Sequence, residues 1–451
     1  MPQPPDLEII RDPLWDNIRL DRAAVAALDT PTVQRLRYVR QLGHAFLVYP
    51  GATHTRFEHA LGAYHLTRKA LASLEERGEL ACIAEEDRLA VRLAALLHDI
   101  GHYPFSHALE EAGFPSHEKL GVAKLDRGEL GERLREIGGP GFPARVGALI
   151  TKQSPSPLQG LISGSLDLDK IDYLSRDAFM CGVPYGTVDV ERLLASLTLV
   201  ETGGRSEVGV HEKGVSALES LLFAKYQMYR NVYWHHAVRA ATCMFKRAVL
   251  AAAAAGAIAD ATLEETTDDA LMELLLRGRN EQAATARGGA PGAASGAPAP
   301  ADWRALAAGI RARRLHKRAM DLPASDVPAD AQAWLADDPV LTARVEDALA
   351  SEVGLAPGGL LLDFPSRSSM LGVDLPLRLR GGAIDRLTDE GRAGQLGLPR
   401  VADELYRSAR RFRVFVAQPV TRSLNGILDV STLPAGEVAR RLERREPLLR
   451  R

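Results

Sequence analysis

The run "DRLAVRLAALLHDIGHYPFSH" constrains this chain more than any other stretch. It sets Leu89, Leu93, Leu96 and Leu97 on one stripe, the spacing of a helix with a buried face. It then turns polar at His98, Asp99, His102 and His107. Imidazoles and a carboxylate are costly to bury unless something binds them. At this point the residues leave three partners open: a metal, a substrate or one another.

Eight of the twelve histidines lie between His44 and His117, too tight a cluster for scattered surface residues. Upstream, "RFEHALGAYHL" supplies His59 on a helical pattern, and downstream "SLDLDKIDYLSRDA" supplies Asp169. His59, His98, Asp99 and Asp169 thus make a candidate ligand set. Mixed imidazole and carboxylate donors suit Fe, Mn, Zn or Ni rather than Ca or a pure Mg site. Adjacent His98 and Asp99 leave a helix about 100° apart, so they converge on one ion only where other ligand-bearing helices face them.

The pattern is mostly helical from about Asp21 to Cys243, with a small hairpin predicted around Gly203-Gly204 in "LTLVETGGRSEVGVHE". "EQAATARGGAPGAASGAPAPADW" lacks the bulky apolar residues that would offset ordering its backbone, and reads as a flexible linker. Beyond it, "GLLLDF", "LPLRLRG" and "FRVFVAQP" read as short strands and "RVADELYRSARR" as a helix. The expectation is a mainly α chain: a helical core over 1–280, a linker over 281–302 and a smaller α+β C-terminal lobe over 303–451. The Arg-rich end reads as a solvated helix with intermixed Glu, a polyanion-binding patch being the alternative.

Composition narrows the class. A net charge of -2 gives no whole-protein field for nucleic acid or membrane. No run of eighteen apolar residues is present, and the N-terminus lacks the basic-then-apolar pattern of a signal peptide. Cys82, Cys181 and Cys243 are far apart and form no CxxC pair, which fits thiols in a reducing compartment. A cytoplasmic protein is expected.

"RLRYVRQLGHAFLVYPGATHTRFEHALG", "LLHDIGHYPFSHALEE", "SHEKLG" and "LDLDKIDYLSRDA" follow one another in order over roughly residues 8 to 245. Together they resemble the HD-domain phosphohydrolases, in the branch of deoxynucleoside triphosphate (dNTP) triphosphohydrolases that are dGTPase-like or sterile-alpha-motif/HD-domain-like. The resemblance implies an HD-domain helical core in which His59, His98, Asp99 and Asp169 hold a divalent transition metal, with Mg on the substrate's triphosphate. It implies attack of an activated water on the α-phosphorus and departure of intact triphosphate. His107 is then the acid, supported by His102, Glu110 and His117; the three-residue spacing of His107 and Glu110 suits one helical face.

By the same resemblance Arg56 and Lys170 grip phosphate, while Gln41, Tyr173 and Asp177 read the sugar, Tyr173 excluding a ribose. His235 and His236 fall where such proteins contact the base. One departure stands out: Tyr226 replaces an arginine expected for the terminal phosphate, leaving Lys225 or Arg230 as substitutes. His44, His54, His65 and His211 have no role in this scheme. The implied partners are a dNTP substrate and further copies of the chain, with the Ala-rich stretch near 240–258 as a packing face; nucleic-acid binding, if any, is weak. Two other readings stay open: hydrolysis of a different phosphoester, such as a nucleoside monophosphate or cyclic nucleotide, and a non-catalytic nucleotide sensor or nucleic-acid scaffold. The base preferred, the physiological metal, the oligomer size and any activation by nucleotides are not fixed by sequence.

Overall fold

The computed structural model describes residues 8–277, 301–328, 330–331, 333–365, 374–387 and 405–449. The architecture is mainly α, with three small sheets. Residues 281–300 of the expected linker lie outside the described residues. Its last two are ordered: Ala301 is buried and Asp302 caps the helix Trp303–Arg311.

The helix Arg56–Glu76 is the axis of the fold. Thr55 and Glu58 close its N-terminus as a capping box. It is buried on most of its circumference, packing on Glu85–Leu97 along one side and Leu168–Cys181 along the other. The second contact is close because Gly62 has no side chain: a Cβ there would stand 1.8 Å from Asp172 Oδ1 and 2.5 Å from Arg176 Nη2. The stripe Leu93, Leu96 and Leu97 is buried in the same core, as its periodicity predicts.

The predicted hairpin forms from Leu197–Thr202 and Arg205–His211, with Gly203 and Gly204 both at positive φ. That is the backbone twist two-residue hairpin turns require. An N-terminal hairpin, Glu8–Asp12 against Asp16–Leu20, is also present and was not anticipated from the sequence. It seats Ile18 and Leu20 in the core.

"GVSALESLLFAKYQMYRNVYWHHAVRAATCMFKRAVLAAAA" forms two helices, Val215–Met228 and His236–Ala254, joined by a wider turn over Tyr229–Tyr233. The Ala-rich helix does not offer a free face for a neighbouring copy as expected. Ala240, Ala241, Met244 and Ala248 are buried in a cluster that also holds Leu306, Ala307 and Ile310 of the same chain.

The C-terminal strands fall into two groups. Lys317–Pro323, Arg411–Val416 and Leu360–Asp363 make an antiparallel sheet, with Arg411–Val416 in the middle. The helix Pro339–Glu352 packs on it, and Val345, Leu349, Phe412 and Val414 share a core of their own. Leu375–Arg378 instead adds in parallel to the hairpin of the first half, Val210 opposite Leu377. Within "RVADELYRSARR", residues 405–409 are helical and 400–404 lie outside the described residues. Near the C-terminus, Glu437 pairs with Arg440 and Arg441 on the helix Ala435–Arg444, whose other face buries Val438 in the same C-terminal core. No helix among the described residues is long and apolar enough to cross a membrane. The three cysteines are free thiols, of which only Cys243 is buried.

Candidate active site

Three helices meet at one point, and each brings a candidate ligand there. His59 lies one turn into Arg56–Glu76, His98 caps the C-terminus of Glu85–Leu97, and Asp169 sits in the first turn of Leu168–Cys181. His59 Nε2 is 2.9 Å from Asp169 Oδ1 and 3.2 Å from His98 Nε2, and His98 Nε2 is 3.4 Å from Asp169 Oδ1. One donor atom from each lies within 4.8 Å of the others. Asp99, in the turn after the helix, adjoins this trio: Oδ2 is 3.6 Å from His59 and Oδ1 3.3 Å from His98. Its carboxylate also accepts from Arg56 Nη1 at 2.7 Å and lies 3.1 Å from His102 Nδ1.

The far nitrogens of both imidazoles are held. His98 Nδ1 is 2.8 Å from Ala95 O, and His59 Nδ1 is 2.7 Å from Asp172 Oδ2. Fixing Nδ1 leaves each Nε2 for an ion, the arrangement that orients metal-bound histidines. Asp172 is itself clamped by Arg176, whose guanidinium reaches on to Asp12 of the N-terminal hairpin. Burial would lower the His59 pKa, but Asp169 and Asp172 raise it to about 10. Two carboxylates therefore focus on this ring, and the site favours positive charge. The donor set fits a divalent transition ion. Asp172 was not singled out from sequence, although it stands in the quoted "LDLDKIDYLSRDA".

His102, His107, Glu110 and His117 form a second cluster beside the first. Glu110 Oε1 lies 2.8 Å from His117 Nδ1 and 3.3 Å from His107 Nδ1, and the His102 and His117 rings stack at 3.8 Å. His107 and Glu110 do not share a regular helical face. Phe105 and Ser106 take positive φ, and His107 follows in a short 3-10 turn. The Phe105 amide is held at 2.8 Å by the buried Asp268 carboxylate. Burial would raise the Glu110 pKa, but His107 and His117 hold it far below the usual carboxylate range. His102 Nε2 is buried with no partner among the described residues.

His98, Asp99 and Asp169 of the first cluster and all four residues of the second line one cavity of about 690 Å³, which Gln41, Tyr173 and Asp177 also line. Gln41 Oε1 has no partner among the described residues. Asp177 is held from both sides, by His54 at 2.8 Å and by the Tyr233 hydroxyl at 2.6 Å. His54 was given no role from sequence; its contact explains its burial.

The candidate phosphate residues are less open. Arg56 is engaged by Asp99 and Ser106. Lys170 Nζ donates to Gly164 O at 2.8 Å and pairs with Asp167. A side cavity of about 350 Å³ joins Lys170 to Lys152 and Lys225. Burial and the nearby Lys170 push the Lys225 pKa down to about 8. Tyr226 bonds Arg230 at 2.8 Å. Arg230, His235 and His236 line a different cleft with Arg318 and Arg413, so these two histidines are not in the cavity of the metal ligands as expected.

Residues 56–177 match the HD domain, and residues 188–288 match the HD associated region. An uncharacterised protein of Methanocaldococcus jannaschii, MJ1154, is 40% identical over 245 residues, 54% of this chain and 49% of that protein. The deoxynucleoside triphosphate triphosphohydrolase SAMHD1 of Gallus gallus is 29% identical over 264 residues, 51% of this chain and 43% of that enzyme. The chain thus spans about half the length of the curated relatives it matches. A crystal structure of a phosphohydrolase from Bacteroides thetaiotaomicron superposes with a TM-score of 0.64 at 23% identity, covering 91% of this chain and 100% of that one, which shows a shared fold.

Proposed function

We propose that this chain, which carries an HD domain followed by its associated region, hydrolyses dNTPs to deoxynucleoside and triphosphate. The observation that carries the reading is the meeting of two histidine and carboxylate clusters in one cavity large enough for a nucleotide. The sequence likeness to a dNTP triphosphohydrolase supports the same substrate class.

His59, His98 and Asp169, with Asp99 beside them, would hold the metal. A divalent transition ion bound there would supply Lewis acidity, of the kind that lowers the pKa of a water from 15.7 to about 7. Asp172 and Ala95 O fix the two imidazoles so that their Nε2 atoms face inward. His107, the exposed member of the second cluster, delivers a proton to the departing 5′ oxygen. Glu110 accepts from Nδ1 of that imidazole and orients the ring, so the proton delivered leaves from Nε2; His117 Nδ1 reaches the same carboxylate oxygen. Gln41, Tyr173 and Asp177 contact the sugar, with Asp177 oriented by His54 and Tyr233. Lys170 and Lys225 meet the phosphates from the side cavity.

Incubating the purified protein with each dNTP and Mn²⁺, then separating products, tests this. Deoxynucleoside and inorganic triphosphate are expected. Monophosphate products would replace the reading with another phosphoesterase, and tight binding without turnover would replace it with a sensor.

A further inference from the structure

We infer that His102, His107, Glu110 and His117 form a second transition-metal site, whose filling takes this cluster out of catalysis. The inhibitory half of this statement rests on the function proposed above; the binding half does not.

The geometry points to an ion. Each of the four residues offers one donor atom within 4.8 Å of the others. Around a tetrahedral Zn²⁺ with bonds near 2.1 Å, donors stand about 3.4 Å apart. The separations of 2.8 and 3.3 Å at Glu110 lie just inside that spacing. Three imidazoles and one carboxylate make a donor set for zinc-like ions rather than for Mg or Ca.

A separate observation concerns His102. Its side chain is almost fully buried, and its Nε2 has no partner among the described residues. Its Nδ1 lies 3.1 Å from Asp99 Oδ1. A histidine held by a carboxylate through one nitrogen, with the other bare and buried, has the tautomer and orientation of a metal ligand. The same Asp99 oxygen is 3.3 Å from His98 Nε2, so one carboxylate touches both sites.

An ion shared by His107, His117 and Glu110 replaces the contacts that these side chains make with one another. Held to an ion, His107 no longer serves as the acid. Metal therefore acts in two senses: one equivalent activates, and a second silences the acid.

The test counts ions. Wild type, Asp169→Ala, Glu110→Gln and His117→Asn are stripped with chelator, shown to be folded by circular dichroism, and dialysed against buffered micromolar Zn²⁺. Elemental analysis is expected to give two zinc per chain in the wild type and one in each variant. One zinc in the wild type, or two that persist in both Glu110→Gln and His117→Asn, overturns the site. Hydrolysis of dNTP by the Mn²⁺-loaded enzyme is then followed as Zn²⁺ is added. The rate is expected to fall by more than tenfold as the cluster fills, and a rate that holds or rises removes the inhibitory role. If no nucleotide is hydrolysed at all, the proposed function fails while the zinc count still decides the site.

Discussion

His59 stands between two carboxylates, its Nδ1 2.7 Å from Asp172 Oδ2 and its Nε2 2.9 Å from Asp169 Oδ1. The first contact orients the ring and raises its basicity toward an ion at the second. Replacing Asp172 by Asn keeps the size and removes the charge. Loss of such a partner costs about 10–100-fold in metal affinity. Equilibrium dialysis with Mn²⁺ on folded Asp172→Asn protein should show that loss, and unchanged affinity would mean the contact serves the Arg176 pair alone.

Asp169 has a different job. It is the carboxylate nearest both Nε2 atoms. Asp169→Ala should therefore purify without metal at the first site. An Asp169→Ala protein as rich in Mn²⁺ as the wild type at one equivalent would show that Asp99 suffices.

His107 can be separated from binding, because it is the exposed member of its cluster and touches none of the three first-site ligands. His107→Ala should keep the first-site metal and nucleotide affinity while kcat falls about 10²–10⁴-fold, the range for losing a positioned acid. Single-turnover hydrolysis in the variant at the wild-type rate would take His107 out of the mechanism.

What the sequence made legible depended on how local each signal is. His59, His98 and Asp169 lie at or near helix ends, and the helices of His98 and Asp169 show a clear apolar period, so the motifs carry both placement and chemistry. Asp172 was hidden because a carboxylate three residues past a ligand looks like a solvated charge. Its partners Trp15 and Asp12, through Arg176, are some 160 residues away in the chain. The parallel pairing of Val210 with Leu377 is equally invisible, since register between distant strands leaves no local pattern. His107 and Glu110 have helical spacing, yet two residues at positive φ break the helix just before them. The cause is tertiary: Asp268, far along the chain, holds the Phe105 amide.

Gly62 tests how tightly the site is tied to helix packing. A methyl group there would overlap Asp172 Oδ1 and Arg176 Nη2, both buried. Overpacking costs about 1–3 kcal/mol, and here the groups that must move are those that orient His59. Gly62→Ala should lower the thermal midpoint and weaken Mn²⁺ binding together. A variant with wild-type metal affinity would show that the helices part without disturbing the imidazole.

Lys225 gives the site a pH signature. Burial and the neighbouring Lys170 lower its pKa to about 8, from an ordinary value of 10.5. Below about pH 8 the ammonium is charged and attracts phosphate; above it the charge is lost. If Lys225 meets the triphosphate, KM should be flat from about pH 6 to 7 and rise about tenfold by about pH 9, as the charged fraction falls. A guanidinium stays protonated throughout this range, so Lys225→Arg should flatten the rise. Assaying both proteins over the same pH series separates this effect from titration of the metal site, which they share. Parallel KM profiles would place Lys225 away from the substrate and leave Lys170 as the lysine that meets it.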